Sequence, residues 1–538
     1  MKKAPAGQVR AWLDGDPDAS TRAELVRLSP DELAERFAAP LRFGTAGLRG
    51  PVRAGPNGMN VAVVVRTTAG LSQWLHAHGL GGGVVVLGRD GRRGSAAFAT
   101  AGAQVLLAAG FDVRAFMQPV PTPLVAFAVR ALEAVAGVQI TASHNPAGDN
   151  GYKVYLSGGA QLVPPSDEEI EAAIAAVGPA VDVPRSRAHP ASADELLEAY
   201  LERLAELPHG SARALRVALT PLHGVGGGIA IEALKRVGFT DVHVVASQAE
   251  PDADFPAVPF PNPEEPGACD ALLALAAEVD ADLAIALDPD ADRCALGVRG
   301  NDGWRMLRGD ETGVLLGDYV MATITTADPL VASTIVSSQL LSKVAAARRV
   351  RHVQTLTGFK WLVRAGAGLV YAYEEAIGHC VDPDAVRDKD GISAAVLACD
   401  LAAGLKDAGR TLLGCLDDLA LAHGVHAGAQ LAIRVEDRTE IDAMMAQLRA
   451  GLPSDLDGRA VEAYDLLPRT DAVVLHGADV RAVVRPSGTE PKLKCYLEVV
   501  AAVQGRAALP AAREQAAVRL DRLRQEMCAI LRRSRSRK

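Results

Sequence analysis

VQITASHNP, residues 138–146, begins as a short apolar strand and continues into small and polar residues before a proline. This pattern predicts that Ser143 lies on a tight loop at the carboxyl end of a buried strand, where open α/β sheets place their ligands. Lys153 follows a few residues later, so a hydroxyl and a potential proton carrier share one segment. From this loop alone, Ser143 could carry a phosphoryl group, act as a hydrolase nucleophile or only cap a turn.

The residues around Ser143 exclude the hydrolase. The Gly-x-Ser-x-Gly elbow of such enzymes is absent. Along an extended chain, we expect His144 to point away from Ser143 and to be poorly placed to take its proton. Ser143 is therefore either the carrier of a group or a serine without chemistry, and the other motifs decide between the two.

The composition is that of an ordinary globular protein with several domains. Of its 538 residues, 49% are hydrophobic and 22% are charged, and such a chain is too long for a single core. The formal net charge of -9 argues against a protein that coats nucleic acid. Seven scattered cysteines fit a reducing compartment, with neither a disulfide framework nor a zinc site. Because no signal peptide or long apolar run is present, we expect a cytoplasmic protein without membrane association. A monomer or a homodimer is expected.

Strands and helices alternate through most of the chain, which predicts parallel sheets with helices on both faces. The C-terminal part instead has alternating apolar segments that predict an antiparallel sheet with helices on one face. The predicted fold class is α/β, with three domains built on mixed, mostly parallel sheets and a C-terminal α+β domain around a central cleft. The predicted domains are residues 1–205, 206–324, 325–428 and 429–538. Among the elements, we expect a helical region over 11–40 and a strand over 334–336.

Each predicted domain supplies one polar loop that follows an apolar strand. The four loops are residues 141–146, 288–293, 374–378 and 485–492. In a compact molecule, four such loops can face one cleft.

Three aspartates alternate along the second loop, at positions 288, 290 and 292, so that their carboxylates face one side. Such close like charges repel one another unless a hard cation lies among them. An EF-hand is excluded because Arg293 and Arg299 occupy its glycine and glutamate positions. Magnesium takes a few carboxylates and completes its shell with phosphate and water, so we predict Mg²⁺ here. The alternative is a solvated acidic turn.

The fourth loop is rich in hydrogen-bond donors that suit the three oxygens of a phosphate. Its donors are Arg485, Ser487, Thr489, Lys492 and the amides around Gly488. In the third loop, Glu374 and Glu375 can accept hydrogen bonds from sugar hydroxyls or simply be solvated.

Together the four loops resemble the signature loops of the α-D-phosphohexomutases, in the order and at the spacing of that family. Three further motifs are similar to the phosphoglucomutase branch that also contains phosphopentomutases: residues 44–50, 358–360 and 387–391. The resemblance implies a mutase that interconverts glucose 1-phosphate and glucose 6-phosphate through a phosphoserine and a bisphosphorylated sugar. A phosphopentomutase and a phosphomannomutase are the alternatives.

The resemblance also implies roles for the motif residues. The implied catalytic residues are Ser143, Lys153, Arg49, His144 and Arg293. Ser143 would be the phosphoryl carrier and Lys153 the general acid/base, and the two arginines would offset the charge of the phosphoryl oxygens. One Mg²⁺ would be bound by Ser143, Asp288, Asp290 and Asp292. The implied substrate contacts are Thr45, Lys360, Glu374, Ala376, Lys389, Arg485, Ser487, Gly488, Thr489 and Lys494. Glucose 1,6-bisphosphate or a similar bisphosphate would be the activator, and sugar phosphates the partners.

One departure from the family concerns sugar recognition. Ala376 stands where many glucose and mannose mutases have a serine, which removes a hydroxyl from the sugar-binding loop. We expect His379, just beyond this loop, to be an ordinary surface residue. Two alternatives from other classes are a catalytically silent sugar-phosphate sensor and an aspartyl-phosphate phosphatase with Asp288 as nucleophile. The intact Ser143 and aspartates disfavour the sensor, and Asp292 in place of a threonine disfavours the phosphatase.

Overall fold

Four large β-sheets follow one another along the chain in the computed structural model, which describes residues 6–43, 47–435, 438–487 and 492–532. The first three sheets are mixed, and the fourth is antiparallel. The predicted fold class is therefore confirmed. Within the described residues, no helix combines the length and the apolar character needed to cross a bilayer.

The first sheet has the strand order β1-β5-β4-β2-β3-β7, and β6 pairs with β5. Its strands are β1 Leu48–Pro51, β2 Val84–Arg89, β3 Asp112–Ala115, β4 Ala136–Ile140, β5 Asp149–Leu156, β6 Ala160–Gln161 and β7 Ala191–Ser192. Its helices are α1 Ala6–Gly15, α2 Ala19–Arg27, α3 Pro30–Arg36, α4 Val61–Ala77, α5 Ser95–Ala108, α6 Thr122–Ala131, α7 Ser166–Ala176 and α8 Glu195–Ala205. Alternate β2 residues enter separate cores, Val86 on one face and Val85 with Leu87 on the other, because helices cover both faces.

The region predicted to be helical over 11–40 is divided into α1, α2 and α3. The Asp18 side chain accepts a hydrogen bond from the Ser20 amide and starts α2. Ser29 forms a capping box with Glu32 and starts α3, with Pro30 in its first turn. Local capping groups therefore interrupt the helical region twice.

The second sheet has the order β12-β11-β10-β8-β9, in which β8, β9 and β10 are parallel. Its strands are β8 Arg216–Thr220, β9 Asp241–Val244, β10 Leu283–Leu287, β11 Cys294–Gly300 and β12 Gly303–Met306. Its helices are α9 Gly227–Arg236 and α10 Asp270–Glu278.

The third sheet has the order β14-β13-β15-β16. Its strands are β13 Leu330–Thr334, β14 Arg351–Thr355, β15 Leu369–Glu374 and β16 Gly378–Cys380. The helices of this region are α11 Gly309–Thr323, α12 Leu340–Arg348, α13 Phe359–Leu362, α14 Gly391–Asp407 and α15 Leu412–His423. The strand predicted over 334–336 is wrong, because β13 ends at Thr334. There the chain turns, with the Ser337 amide donating to the Thr334 carbonyl at 3.1 Å.

The fourth sheet has the antiparallel order β17-β23-β22-β21-β20. Its strands are β17 Val425–Arg434, β20 Glu462–Asp465, β21 Val473–His476, β22 Val480–Pro486 and β23 Lys492–Ala501, with β18 Asp455–Leu456 and β19 Arg459–Ala460 as a separate pair. The helices α16 Arg438–Ala450 and α17 Leu509–Arg532 share one apolar core with this sheet.

Candidate active site

Each of the four predicted loops joins two neighbouring antiparallel strands, β4 to β5, β10 to β11, β15 to β16 and β22 to β23. Backbone contacts tie the second loop to the start of α6 in the first sheet region and to the third loop. The Thr122 amide donates to the Asp290 carbonyl at 2.9 Å, and the Cys294 amide donates to the Ile377 carbonyl at 3.1 Å. These contacts bring polar groups from three sheets into one place.

One non-glycine residue in each of the first three loops has a left-handed backbone conformation. The φ angles are 55° at Ser143, 52° at Ala291 and 53° at Ile377. Side chains disfavour this conformation, and residues held in it cluster at functional sites. The three loops therefore share a local backbone feature as well as a location.

The Ser143 hydroxyl faces the second loop. Its Oγ donates a hydrogen bond to Asp288 Oδ2 at 2.8 Å, and the residue is almost fully buried. The expected orientation of His144 is wrong, because its Nδ1 lies 3.2 Å from Ser143 Oγ. The tight loop replaces the extended backbone on which that expectation rested.

The three aspartates are buried and can each direct one carboxylate oxygen to a common point, with these oxygens within 4.8 Å of one another. The alternative of a solvated acidic turn is therefore excluded. Lys153 Nζ donates to Asp290 Oδ2 at 2.6 Å and to Asp292 Oδ2 at 2.7 Å. Its buried ammonium partly compensates the negative charge.

Burial and neighbouring charges shift the pKa values of Asp288 and Asp292 in different directions. Burial raises the pKa of Asp288 well above its ordinary value, and Asp290 and Asp292 raise it further. Burial would also raise the pKa of Asp292, but Lys153, Lys389 and Arg293 hold it below its ordinary value. Without a cation, ionisation is therefore less favourable at Asp288, the residue that contacts Ser143, than at Asp292.

The aspartate cluster fits a hard divalent cation. Asp290 Oδ1 and Asp292 Oδ1 are buried and have no hydrogen-bond partner in the described structure. Buried carboxylate oxygens are costly when unpaired, and Mg²⁺ prefers such ligands. Asp288, Asp290 and Asp292, with Ser143 beside them, could therefore hold the ion.

Two of the predicted arginines flank this cluster. Arg49 Nη1 lies 3.4 Å from the Ala142 carbonyl and 3.3 Å from Asn145 Oδ1, so it contacts the serine loop. Arg293 Nε lies 4.0 Å from Asp288 Oδ2, and its Nη1 donates to the Ala376 carbonyl at 3.3 Å. Burial lowers the pKa of His144 well below its ordinary value, and these two arginines act in the same direction. Burial and the two arginines therefore both favour the neutral imidazole at His144.

Lys389 joins the cluster from the third sheet, with its Nζ 3.4 Å from Asp292 Oδ2. The same ammonium lies 5.3 Å from the centre of the Phe359 ring. Lys360, the next residue in α13, is buried and packs over Trp361 at 5.4 Å. Lys389 is therefore in direct ionic contact with Asp292, whereas Lys360 packs against Trp361.

The sugar-binding loop predicted at 374–378 contains a part-buried glutamate. Burial raises the pKa of Glu375 to about 7, Glu374 and Asp310 add to this, and Lys494 opposes it. His379 is fully buried, its ring stacks on Tyr373, and burial lowers its pKa to about 3. The expectation of a surface histidine is wrong because β16, a single short strand, is covered on both sides.

The fourth loop reaches the same region through the ends of its strands. The Tyr496 hydroxyl faces Arg485 and Glu375, and Lys494 faces Glu375. Ser487 is buried, and its amide donates to the Lys492 carbonyl at 2.9 Å. Three predicted substrate contacts, Thr45, Gly488 and Thr489, lie outside the described residues.

Arg92 holds the serine loop, although the sequence did not predict a role for it. Its guanidinium donates to the carbonyls of Ser143 and Asn145, both at 2.6 Å, and of Pro146 and Asp149 at 2.7 and 3.1 Å. The available signal was its place in another polar stretch that follows an apolar strand, residues 88–93. Thr122 was missed as well, and its hydroxyl donates to Asp290 Oδ2 at 2.6 Å.

Comparison with known protein families gives four consecutive matches. Residues 40–179, 198–301 and 308–419 match the alpha/beta/alpha domains I, II and III of phosphoglucomutase/phosphomannomutase, and residues 431–512 match the C-terminal domain. The four matches follow the order of the four large sheets.

Individual relatives extend over most of the chain. A Haemophilus influenzae protein named "Probable phosphomannomutase" is 40% identical over 82% of this chain and 93% of its own length. The phosphoribomutase of Saccharomyces cerevisiae is 34% identical over 93% of both chains. The structure of a phosphoglucomutase/phosphomannomutase family protein from Burkholderia thailandensis superposes with a TM-score of 0.67 at 21% identity, covering 89% of this chain and 96% of that one. The chain therefore belongs to the phosphoglucomutase/phosphomannomutase family, the α-D-phosphohexomutases.

Proposed function

We propose that this mutase interconverts glucose 1-phosphate and glucose 6-phosphate through a phosphoserine at Ser143. The observation that carries the proposal is the buried Ser143 hydroxyl, 2.8 Å from Asp288 and beside the other two aspartates. A Mg²⁺ held by these residues would supply positive charge for the phosphoryl oxygens.

The chain's own groups account for phosphoryl transfer and proton transfer. A free hydroxyl of the sugar phosphate attacks the phosphorus on Ser143, the new sugar P–O bond forms, and the bond to Ser143 Oγ breaks. Lys153 is the candidate base for the hydroxyl proton, and Arg49 and Arg293 stabilise charge on the phosphoryl oxygens. The product of this half-reaction is a bisphosphorylated sugar.

The second half-reaction requires the sugar to turn end for end. Ser143 then takes back a phosphoryl group from the other sugar oxygen, which leaves the isomeric monophosphate. Arg485, Ser487 and Lys494 are the proposed anchors for the phosphate that is not reacting, and Glu374 is the proposed acceptor for sugar hydroxyls. Glucose 1,6-bisphosphate or a similar bisphosphate would prime the enzyme.

A pentose phosphate is the second candidate substrate, and Ala376 favours it. The methyl group of Ala376 cannot hydrogen-bond a sugar hydroxyl, and loss of such a bond weakens discrimination for a hydroxyl-rich sugar. A phosphoribomutase is among the relatives described above, and so is a protein named for phosphomannomutase activity. Turnover of glucose, mannose and ribose 1-phosphates under one bisphosphate activator separates the three substrates. Dominance of the pentose would overturn the glucose assignment.

The phosphoserine is tested by the intact mass of the purified protein after incubation with glucose 1,6-bisphosphate, followed by peptide mapping. We expect one added phosphoryl group, located on Ser143. Ser143→Ala should lose the added mass and all mutase turnover while binding glucose 1-phosphate with nearly unchanged affinity. Ser72→Ala, a buried serine in α4, is the control. Unchanged turnover in Ser143→Ala, or a phosphoryl group on another residue, would refute the mechanism.

A further inference from the structure

We propose that Arg481 and Glu498 are positioning residues that fix the anion-binding ends of β22 and β23 against the sugar-binding loop. The proposal rests on the proposed function, since it concerns the phosphate site of the same reaction. Both side chains are more than nine-tenths buried, and they lie directly opposite each other on adjacent strands of the fourth sheet. Both contact one segment of the third domain, residues 335–339, which leads from β13 into α12.

Glu498 accepts hydrogen bonds from the donors of this segment. Its Oε1 accepts from Ser338 Oγ at 2.5 Å and from the Gln339 amide at 3.1 Å. These groups precede the first residue of α12, where helix N–H groups lack partners within the helix. A second contact comes from β17, whose His426 places Nδ1 3.0 Å from the same carboxylate oxygen. Glu498 therefore caps a helix that belongs to another domain.

Arg481 binds the acceptors of the same segment. Its Nη1 donates to the Ser337 carbonyl at 3.2 Å, and its Nη2 donates to the Ile335 carbonyl. From α11, Asp310 Oδ1 accepts from the Ser338 amide at 2.8 Å. The segment is thus held through both its N–H and its C=O groups, which fixes its position more strongly than either contact alone.

Arg481 and Glu498 together form a clamp on residues 335–339. This clamp and the phosphate site belong to one row of cross-strand pairs. The pairs are Arg481 with Glu498, Val483 with Tyr496, and Arg485 with Lys494. Successive pairs are two residues apart, so all three lie on one face of the sheet. The middle pair packs against Val336 of the clamped segment. Tyr496 of the middle pair and Lys494 of the third pair face the Glu375 carboxyl.

This arrangement makes the phosphate site a rigid extension of the clamp. A phosphate bound at Arg485 and Lys494 is not the reacting one, so its contacts contribute equally to the ground state and the transition state. Loss of such uniform binding raises KM and leaves kcat unchanged. Displacement of the strand ends should therefore affect substrate affinity, while phosphoryl transfer at Ser143 continues.

The test compares Arg481→Met and Glu498→Met with the native chain. We expect KM for glucose 1-phosphate to rise about tenfold, with kcat changed less than about threefold. Amide hydrogen exchange in residues 335–339 should become faster in both variants. The double variant Arg481→Glu/Glu498→Arg should not restore KM. In that variant the N–H groups of the segment would face an arginine at position 498, and its carbonyl groups would face a glutamate at position 481.

Arg519→Met is the matched control. Arg519 is an equally buried arginine of the fourth domain, bonded to Asp457 and to the Val500 carbonyl, both within that domain. Its loss should lower the melting temperature but leave KM unchanged. The proposal is overturned if the clamp variants leave KM unchanged, if Arg519→Met raises KM equally, or if the double variant restores KM. If the native chain has no turnover, the proposed function fails independently of the clamp. The clamp is then still tested by the affinity for glucose 1-phosphate, measured by calorimetry, and by amide hydrogen exchange in residues 335–339.

Discussion

Lys153 is a buried ammonium between two carboxylates, and two substitutions separate its charge from its ability to release a proton. Lys153→Met removes the ammonium that contacts both Asp290 and Asp292 and leaves Asp292 only its more distant cations, which should cost about 3 to 5 kcal/mol of stability. Lys153→Arg keeps the charge but cannot deprotonate, so it should keep most of the stability and lose at least about a hundredfold in kcat. Thermal unfolding and turnover of both variants test this.

The control for Lys153 is Lys406→Met, which removes an exposed ion pair with Asp282. Exposed pairs contribute little, so both stability and turnover should stay close to those of the native chain. If Lys153→Arg turned over at the native rate, Lys153 would act through its charge and the proton carrier would be another group.

Glu375 is expected to make stability depend on pH. Its pKa of about 7 reflects burial and the neighbouring Glu374, Asp310 and Glu264, with Lys494 opposing them. The folded chain binds this proton more tightly than the unfolded chain, so the stabilisation is complete below the unfolded pKa of about 4.3 and is lost as pH rises through about 7. Relative to Glu375→Gln, the native protein should lose about 2 to 3 kcal/mol between about pH 5 and pH 8. Urea unfolding of both at each pH measures this difference, and parallel pH profiles would contradict the prediction.

At the level of single residues, the sequence predicted charge clusters better than it predicted exposure. The Asp288–Asp292 spacing places three carboxylates together through local backbone geometry alone, and the structure keeps them together. The orientation of His144 depends on a left-handed turn at Ser143, and the burial of His379 depends on the elements packed over β16. Neither depends on a local pattern, so neither could be predicted from neighbouring residues.

At the level of elements, the serine loop depends on a residue outside it. Arg92 donates to four backbone carbonyls of the loop and its end, so one side chain fixes this backbone at several points. Arg92→Met should therefore release the loop, lower kcat by about ten- to a hundredfold and accelerate amide exchange over residues 143–149. The matched control is Arg93→Met, since the neighbouring Arg93 is exposed and pairs with Asp254 at the surface. Equal effects of the two substitutions would show that Arg92 has no specific role in the loop.

The strand-end loops were the most predictable elements, because an apolar run that ends in polar residues is a local signal. Strand β4 ends at Ile140, directly before the serine loop, and β10 ends at Leu287, directly before the aspartates, as predicted. The sequence could not show that every loop returns directly into an antiparallel neighbour, because strand pairing depends on contacts that are distant in the chain. For the same reason, the clamp at residues 335–339 follows from the structure alone.

At the level of the whole molecule, the candidate site is assembled from separate domains. Ser143 and Lys153 come from the first sheet region, the aspartates from the second, Lys389 from the third, and Lys494 from the fourth. One apolar core runs through the first three regions and holds them together, whereas the fourth has a core of its own. Movement of the fourth region would therefore change the phosphate site while leaving the serine and the aspartates in contact.

Because the aspartates and Ser143 belong to different domains, ion binding between them should stabilise the molecule as a whole. We expect Mg²⁺ to raise the melting temperature of chelator-treated protein, by an amount that corresponds to about 2.7 kcal/mol when its concentration is a hundred times Kd. Asp288→Asn removes one of three mutually repelling buried carboxylates, so the variant without Mg²⁺ should be at least as stable as the native chain and should gain little from the ion. Asp302→Asn, at an exposed position in a turn, is the control and should retain the full shift. An equal Mg²⁺ shift in Asp288→Asn would mean that the ion binds elsewhere, and the absence of any shift in the native chain would exclude a magnesium site at these aspartates.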